Sequence, residues 1–272
     1  LNLNKIRCAS IGTLGVKGNF INIRTKNTTL DSISLNRILY KLSKQRIENV
    51  ILEASSHGLH QNRLDGIKFD LGIFTNLSRD HLDYHKSYKN YLNSKLILFK
   101  KLIKKKGIVV FDNSIKEASI LKKIIHKNKL KSFNIGQKSD IQIIEHDYIN
   151  NKQLVYFIFN KKKYFFKTRL IGKIQIKNLL MAIIAASRLI SIEKIVKSVS
   201  KIKSVNGRFE SIGKLKNGSR VILDYSHTPD ALKMCLSNIK EQFKFSRLSI
   251  VFGCGGDRDK PKRQIMGKIV KS

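Results

Sequence analysis

Strand patterns and helical patterns alternate along the first half of the chain, and this alternation restricts the fold more than any other feature. Two apolar runs, residues 49–53 and 70–75, are typical of buried strands. Residues 87–105 carry helical periodicity, a short strand is predicted at 107–111, and another helix is predicted near 114–127. Because strands that are connected through helices usually run parallel, we predict an α/β domain with a central, mostly parallel sheet flanked by helices.

Residues 139–169 differ in character, because strand patterns follow one another there without an intervening helix. This segment predicts a small added β region. The expected strands are 141–144, 154–159 and 164–168, and the helices that follow are 175–190 and 192–202.

The pattern restarts near residue 205, and we predict two domains, 1–204 and 205–272. The second begins as a truncated, Rossmann-like α/β domain. Its expected elements are a strand at 220–225, a helix at 229–243 opened by Thr228-Pro229, a strand at 248–252 and a glycine-rich turn at 253–256. The sequence starts at Leu1 rather than Met and stops at Ser272 within a helical pattern, so we expect a fragment of a longer protein.

The net charge of +35, from 54 Lys+Arg and 19 Asp+Glu, suggests nucleic acid or an anionic membrane as a partner. The basic residues are spread along the whole chain, however, and Lys, Ile and Asn are abundant together, so compositional drift is the favoured explanation. No apolar run approaches the ~20 residues that span a bilayer, and the sequence shows no N-terminal basic, apolar and small-residue succession of the signal-peptide kind. Three cysteines without metal-ligand spacing indicate reduced thiols. We therefore expect a cytoplasmic chain without membrane insertion or nucleic-acid binding.

Three side chains of the first domain are candidates for a cation site. Glu53 ends one predicted strand, and His81 follows the next one within FTNLSRDHLDYH (74–85). Because neighbouring parallel strands bring their carboxyl ends to one sheet edge, the pair predicts a divalent-cation site with Mg²⁺ favoured, although a lone histidine is more often structural. Lys95 interrupts an apolar helix face, where it either snorkels outwards or lies near the site. A neutral lysine amine can add CO₂ and become a carbamate, which is an oxygen ligand.

Two turns of the second domain have the character of ligand-binding loops. DYSHTPD (224–230) and GCGGDRDK (253–260) each follow a predicted strand. Asp224 is placed to accept a hydrogen bond from a ribose hydroxyl, and the glycines permit close backbone approach. A glycine-rich turn alone is a weak indication, because many strand-to-helix connections contain one.

Four runs together resemble one enzyme family. LEASSHGLHQNR (52–63), FTNLSRDHLDYH (74–85), DYSHTPDAL (224–232) and FGCGGDRDK (252–260) closely resemble the ATP-dependent Mur ligases of peptidoglycan synthesis. More narrowly, they are similar to the members that add a diamino acid to UDP-N-acetylmuramoyl-L-alanyl-D-glutamate. The resemblance spans nearly the whole chain, but residues 112–170 match only in general character.

The resemblance implies a reaction and its partners. ATP phosphorylates the D-glutamyl side carboxylate to give an acyl phosphate and ADP, the amine of the diamino acid attacks, and phosphate leaves. Mg²⁺ is the implied cofactor, and the expected partners are UDP-muramoyl-dipeptide, ATP and a diamino acid, with meso-diaminopimelate favoured over lysine. We expect a cytoplasmic monomer.

The resemblance also implies roles for individual residues. Glu53 and His81 match the magnesium ligands, and Lys95 matches a carbamylated lysine that orders a second metal. The residues that match positions binding the UDP-muramoyl-dipeptide are Asn27, Thr28, Thr29, Ser55, Gln61 and Arg63. In the nucleotide site, Asn178, Arg208 and Asp224 match an adenine-side residue, a phosphate contact and the ribose acceptor. Arg258 matches a residue that holds the carboxylate of the incoming amino acid.

Some features depart from the family pattern. The phosphate-binding motif G-x-x-x-x-G-K-[ST] does not occur in the sequence, and Gln175 stands where the family usually has Asn. We therefore expect the 272 residues by themselves to lack ligase activity. Two alternatives remain open: another ligase of the superfamily, such as a folylpolyglutamate synthetase, and a non-catalytic basic protein that binds nucleic acid.

Overall fold

Helices and strands alternate in the computed structural model, which describes residues 1–18, 21–254 and 261–271. These residues belong to two compact units. Unit 1 comprises Leu1–Leu77, His81–Asn134 and Ile184–Ile195, and unit 2 comprises Ser78–Asp80, Ile135–Ile183 and Val196–Ser272. None of the described helices is long and apolar enough to cross a membrane.

The strands are β1 (Cys8–Gly12), β2 (Gly15–Gly18), β3 (Ile21–Ile23), β4 (Asn49–Leu52), β5 (Phe69–Phe74), β6 (Ile103–Asp112), β7 (Lys131–Ile135), β8 (Ile141–Ile149), β9 (Lys152–Phe159), β10 (Lys162–Thr168), β11 (Glu210–Lys214) and β12 (Arg220–Leu223). The α-helices are α1 (Ser32–Lys44), α2 (Ser56–His60), α3 (Leu82–His85), α4 (Tyr88–Ile97), α5 (Ala118–Lys127), α6 (Lys173–Ala186), α7 (Ile192–Val199), α8 (Pro229–Gln242) and α9 (Pro261–Lys271). A 3₁₀ turn at Asn2–Asn4 and a π-helical turn at Leu98–Leu102 complete the set.

Parallel strand pairs carry the site-bearing part of unit 1. β1 pairs in parallel with β4, with Ala9 opposite Val50, and continues through antiparallel β2 and β3 in the order β3-β2-β1-β4. β5 pairs in parallel with β6, with Leu71 opposite Ile108, and β7 lies beside β6. Together with the intervening helices, these pairs confirm the predicted α/β class.

The predicted adjacency of the strands before Glu53 and His81 is wrong. Within the described residues, β4 has its ladder with β1 and β5 has its ladder with β6, so the two strands belong to separate sheets.

The predicted helix 87–105 is shorter than its apolar periodicity suggests. Ser87 caps α4 by accepting a hydrogen bond from the Asn90 N–H, and the π-helical turn after Ile97 leads directly into β6. The buried residues of α4 are Tyr91, Ser94 and Leu96, whereas Tyr88, the first residue of the predicted apolar face, is 40% exposed. The wider π turn puts the side chains before and after it out of helical phase.

The core of unit 1 consists of two clusters of buried side chains. One surrounds Val16, Leu35 and Leu64 between the first sheet and α1, and the other surrounds Val109, Phe111 and Leu121 between β6 and α5. Helix α1 starts where the Asp31 carboxylate accepts the Ser34 N–H, and this bond lowers the pKa of Asp31.

Unit 2 contains the predicted added β region, an antiparallel meander of β8, β9 and β10. The side chains of β9 alternate between buried and half-buried positions, as its sequence pattern requires. Further along, β11 pairs with β12, and α8 opens at Pro229 with the Thr228 hydroxyl accepting the Ala231 N–H, as predicted. The strand predicted at 248–252 is wrong, because these residues are not in a strand. The domain boundary near 205 stays a prediction.

Candidate functional site

Helix α2 is short but fixed at both ends, and it carries most of the SSHGLHQNR run. Its first turn is capped by the Ser55 hydroxyl, which accepts the Gly58 N–H at 3.1 Å. At its end Asn62 is left-handed (φ 55°), the Arg63 N–H donates to the Gly58 carbonyl and the Asn62 N–H donates to the Leu59 carbonyl. This is a Schellman end, and it sets the direction in which Gln61 and Arg63 leave the helix.

Thr29 joins α2 to the segment that follows β4. Its side chain is 1% exposed; the hydroxyl donates to the Glu53 carbonyl at 2.8 Å and accepts the Ser55 N–H at 2.9 Å. A Cβ on Gly58 would lie 2.6 Å from the Thr29 side chain, so only glycine permits this approach. The Arg63 guanidinium donates to the Thr29 carbonyl at 2.7 Å. Four of the residues predicted from the family resemblance therefore share one hydrogen-bond network.

The Glu53 carboxylate is held from one side only. Its Oε2 accepts both the N–H and the hydroxyl of Thr13, at 2.8 and 2.9 Å. A Cβ on Gly12 would lie 2.5 Å from the same oxygen, so the glycine makes room for the carboxylate. Glu53 itself is exposed, which leaves its side chain accessible to a ligand.

The hydrogen-bond network around Thr29 and Arg63 continues through Gln61 to a tyrosine. The side-chain oxygen of Gln61 accepts a hydrogen bond from Arg63 Nε at 2.9 Å, and its side-chain nitrogen donates to the Tyr84 hydroxyl at 3.0 Å. The same hydroxyl lies 2.9 Å from His60 Nδ1. Tyr84 thereby connects α3 to the end of α2.

Four histidines and two tyrosines form a ring cluster (His57, His60, His81, Tyr84, His85 and Tyr91) on α2, α3, α4 and the residue before α3. The His57 ring contacts the rings of Tyr84 at 4.1 Å, His81 at 5.0 Å and His85 at 5.4 Å between centroids. His81 is thus brought to α2 through His57.

His85 lies at the floor of the ring cluster and is 4% exposed. Its Nε2 lies 3.0 Å from the Ser56 hydroxyl and its Nδ1 lies 3.3 Å from the Ser94 hydroxyl. Burial, followed by the nearby His57 and His60, lowers the pKa of His85 to about 4. The side chain is therefore neutral at physiological pH, and its role is to support the other rings.

Lys95 and His81 meet at the same tyrosine. The Lys95 ammonium lies 5.2 Å from the centroid of the Tyr91 ring, and the His81 ring lies edge-on to Tyr91 at 5.8 Å. Lys95 is half-buried, so it does not simply extend into solvent. The structure brings Lys95 and His81 to one side chain, and their role in a cation site stays a prediction.

The remaining predicted residues differ in how they are placed. Asn27 is exposed, and the Thr28 hydroxyl lies 3.0 Å from that of Thr13. In unit 2, Asn178 is exposed on α6, and the exposed Arg208 guanidinium lies 5.0 Å from the centroid of the Tyr225 ring. Arg258 lies outside the described residues.

Asp224 accepts more hydrogen bonds than the other residues predicted to bind the nucleotide. Its Oδ2 accepts the Phe209 N–H at 2.9 Å, while Oδ1 accepts the N–H of Ser226 at 3.0 Å and the Ser226 hydroxyl. Because a carboxylate oxygen accepts two hydrogen bonds, Oδ2 has capacity for one further donor, such as a hydroxyl.

Few side chains that could serve as metal ligands lie together in the described part of the chain. Within residues 1–18, 21–254 and 261–271, no three His, Cys, Asp or Glu side chains are grouped so as to hold a metal ion. The predicted set of Glu53, His81 and a Lys95 carbamate contains only two residues of these types, so the finding leaves that set untested.

A cavity of about 510 Å³ borders the ring cluster. Its lining includes His60, Tyr84 and His85, and α4 contributes Asn90 and Ser94. The cavity therefore lies beside both the ring cluster and α4.

The family follows from two matches that cover most of the chain. Residues 2–186 match the family model of the Mur ligase middle domain, and residues 207–272 match that of the Mur ligase glutamate ligase domain. The chain belongs to the Mur ligase family.

Individual relatives narrow the similarity. The chain is 39% identical over 269 residues to the UDP-N-acetylmuramoyl-L-alanyl-D-glutamate–2,6-diaminopimelate ligase of Rickettsia conorii, covering 97% of the chain and 55% of that relative. A solved structure of a ligase of the same name is 31% identical, has a TM-score of 0.76, and is matched over 98% of the chain and 55% of its own length. The chain therefore spans about half the length of the curated relatives it matches.

A third comparison concerns the alternative ligase. The folylpolyglutamate synthetase of Lactobacillus casei is 12% identical with a TM-score of 0.64, and the match covers 90% of this chain and 66% of that one. At this identity the likeness shows a shared fold alone.

Sequence reasoning missed several residues of the site. Thr13 lies in a hairpin turn far from the other motifs, and no local pattern marks it as a partner of Glu53. His57, Tyr84 and Tyr91 lie within or beside the quoted runs but on three different helices, so no single helical spacing marks them as a cluster.

Proposed function

We propose that this Mur ligase chain serves ATP-dependent amide formation, the addition of meso-diaminopimelate to UDP-N-acetylmuramoyl-L-alanyl-D-glutamate. The observation that carries the proposal is the single network in unit 1 that connects Arg63, Thr29 and Glu53, because it joins predicted substrate contacts to a predicted metal ligand. The name and 39% identity of the Rickettsia conorii relative support the substrate and the diamino acid.

The residues of unit 1 fit a divalent cation as far as their donor chemistry goes. Glu53 offers an exposed carboxylate whose Oε2 is fixed by Thr13, and His81 offers an exposed imidazole. Lys95 fits a cation site only as a carbamate, since its ammonium form repels a cation and the carbamate supplies two oxygens. When bound, Mg²⁺ neutralises negative charge that develops on the phosphoryl and acyl oxygens.

The UDP-muramoyl-dipeptide is assigned to Asn27, Thr28, Thr29, Ser55, Gln61 and Arg63. Arg63 is the candidate for pairing with an anionic group of this substrate, because Gln61 and the Thr29 carbonyl already hold its guanidinium in place. The Ser55 hydroxyl accepts the Gly58 N–H that caps the helix, and its own proton can still be donated to the substrate.

The reaction then needs positioning and charge neutralisation more than covalent help from the protein. The γ-phosphoryl group of ATP passes to the D-glutamyl carboxylate, the free amine of diaminopimelate attacks the acyl phosphate, and the amide forms as phosphate leaves. Asn178, Arg208 and Asp224 are the residues assigned to ATP, and Arg258 is assigned to the carboxylate of the diamino acid. We place the reaction in the cytoplasm and in a monomer.

The proposal is tested in a chimera in which residues 1–272 replace the matched segment of the Rickettsia conorii ligase. Formation of UDP-muramoyl-tripeptide from UDP-muramoyl-dipeptide, ATP, Mg²⁺ and meso-diaminopimelate is measured by chromatography, with lysine and with a folate substrate plus glutamate as competing assays. Diaminopimelate-dependent product supports the proposal, whereas a well-folded chimera that is inactive with diaminopimelate contradicts it.

The 272 residues are assayed alongside the chimera. We expect no ATP-dependent amide formation from them alone, because their sequence contains no phosphate-binding motif of the G-x-x-x-x-G-K-[ST] type. Product formation by the isolated chain contradicts that expectation.

A further inference from the structure

Thr13 occupies a position from which it can control the Glu53 side chain. It lies in the two-residue turn between β1 and β2, where Gly12 and Gly15 pair across the hairpin. A two-residue hairpin turn leaves little conformational freedom, so the N–H and hydroxyl of Thr13 are presented in a fixed direction. Both reach the same oxygen, Glu53 Oε2.

The hydrogen bonds around Thr13 have only one consistent direction. An ionised carboxylate is an acceptor only, so the single hydroxyl proton of Thr13 is donated to Glu53 at 2.9 Å. The 3.0 Å contact between the Thr13 and Thr28 hydroxyls must therefore use the proton of Thr28. The result is an ordered chain from Thr28 through Thr13 to Glu53, in which each bond strengthens the next.

We propose that Thr13 is a positioning residue that orients the Glu53 carboxylate and couples it to Thr28. This inference rests on the proposed function, in which Glu53 is a metal ligand and Thr28 is a substrate contact. The two bonds fix Oε2, so the carboxylate is presented to a cation in one orientation. A substrate that engages the Thr28 hydroxyl alters this row of hydrogen bonds, so UDP-muramoyl-dipeptide changes the affinity of the cation site.

The test compares Thr13→Val, which removes the hydroxyl and keeps the N–H, with Thr13→Ser, which keeps both donors. Each variant of the 272-residue chain is crystallised to determine the conformers of the Glu53 side chain, and its Mn²⁺ affinity is measured by electron paramagnetic resonance. Thr25→Val is the matched control, because it removes a neighbouring hydroxyl that donates to the Asn27 carbonyl and does not contact Glu53.

We expect Thr13→Val to disperse the Glu53 side chain over several rotamers and to weaken Mn²⁺ binding about tenfold, as loss of a partner of a metal ligand typically does. Thr13→Ser should restore both, and Thr25→Val should alter neither. Thr28→Val, which breaks only the outer bond, should abolish the effect of UDP-muramoyl-dipeptide on Mn²⁺ affinity while leaving Glu53 ordered.

The two readouts separate this inference from the proposed function. Disordered Glu53 with unchanged Mn²⁺ affinity supports positioning by Thr13 and overturns Glu53 as a metal ligand. A Glu53 side chain that stays in one conformer in Thr13→Val overturns the inference, whatever the Mn²⁺ affinity. Thermal unfolding of each variant shows whether a change is local. If Thr13→Val has a lower melting temperature and Thr13→Ser does not, the result still supports the role of the hydroxyl.

Discussion

The predicted substrate and metal residues of unit 1 and the predicted nucleotide residues of unit 2 differ in how firmly the protein holds them. In unit 1, Thr29, Glu53 and Arg63 share a network of side-chain and backbone bonds. In unit 2, Asn178 and Arg208 are exposed, and Asp224 alone accepts several hydrogen bonds from its own loop.

The contrast bears on how much ordering each set of residues requires when a ligand binds. A preorganised site does not have to order its side chains when the substrate arrives, so more of the binding energy is retained. Exposed side chains such as Arg208 lose rotamer freedom on binding, and the ligand must supply the energy for that ordering. Under the proposed function, the residues assigned to the UDP-muramoyl-dipeptide are the preorganised ones, and the exposed residues assigned to ATP are expected to become ordered when the nucleotide binds.

The largest expected effect is on the prepared side. His81→Ala in the chimera should lower turnover about 100-fold or more, because a proposed metal ligand is lost. His81 is exposed, so the melting temperature should change little. His126→Ala, at another exposed histidine, is the control and should retain activity. Near-normal turnover of His81→Ala would remove His81 from the site.

The second prediction concerns pH. Unfolded histidine binds its proton near pH 6.5, whereas the pKa of folded His85 is about 4, so the unfolded state takes up the proton first as the pH falls. The free energy of unfolding should therefore decrease between pH 6.5 and 4, by up to about 3 kcal/mol at the lower end. Urea titrations at several pH values measure it.

The matched variants for that experiment are His85→Asn and His126→Asn. Removing the buried histidine should flatten the pH dependence, and removing the exposed one should not. An unchanged slope in His85→Asn would show that the ring cluster is not what makes unit 1 acid-sensitive.

Arg63→Lys, also in unit 1, should have a smaller effect, and it concerns substrate affinity. Lysine cannot reach Gln61 and the Thr29 carbonyl with a planar fork, so the affinity for UDP-muramoyl-dipeptide should fall about tenfold. Isothermal titration of the chimera measures the change. Unaltered affinity would mean that the preorganised guanidinium does not contact the substrate.

The smallest effect is expected in unit 2. Arg208→Ala removes a contact with the Tyr225 ring at an exposed site, which should lower the free energy of unfolding by less than about 1 kcal/mol. The free energy of ATP binding to the chimera should weaken by more than the free energy of unfolding does. A large loss of stability with unchanged ATP affinity would reverse the contrast between the two units.

The class of fold was predicted from the sequence, whereas the roles of the site residues stay predictions and their hydrogen-bond partners were not predicted. Runs such as residues 49–53 and 70–75 revealed strands through their local apolar pattern, although no residue of β4 is buried. Sheet order leaves no such local trace, and the expected pairing between these strands was wrong. Residues 248–252 carry a similar apolar run but do not form a strand, which shows that such a pattern alone does not fix strand pairing.

Within the site, local pattern again set the limit. Lys95 and His81 were identified from the sequence, but their common contact, Tyr91, depends on how α4 is rotated. Thr13 was invisible because its two bonds cross 40 positions of the chain. His85, which had no assignable role in the sequence, proved to be buried between two serine hydroxyls.

The π-helical turn at Leu98–Leu102 has a practical consequence for comparing relatives. A π turn holds one more residue than the α-helical turn it replaces, so it is the natural place for single-residue length differences. An alignment that must open a one-residue gap between Ser87 and β6 should open it there. Positions in α4, including Lys95, are then counted from the Ser87 cap, which keeps equivalent lysines in register even when the helix lengths differ.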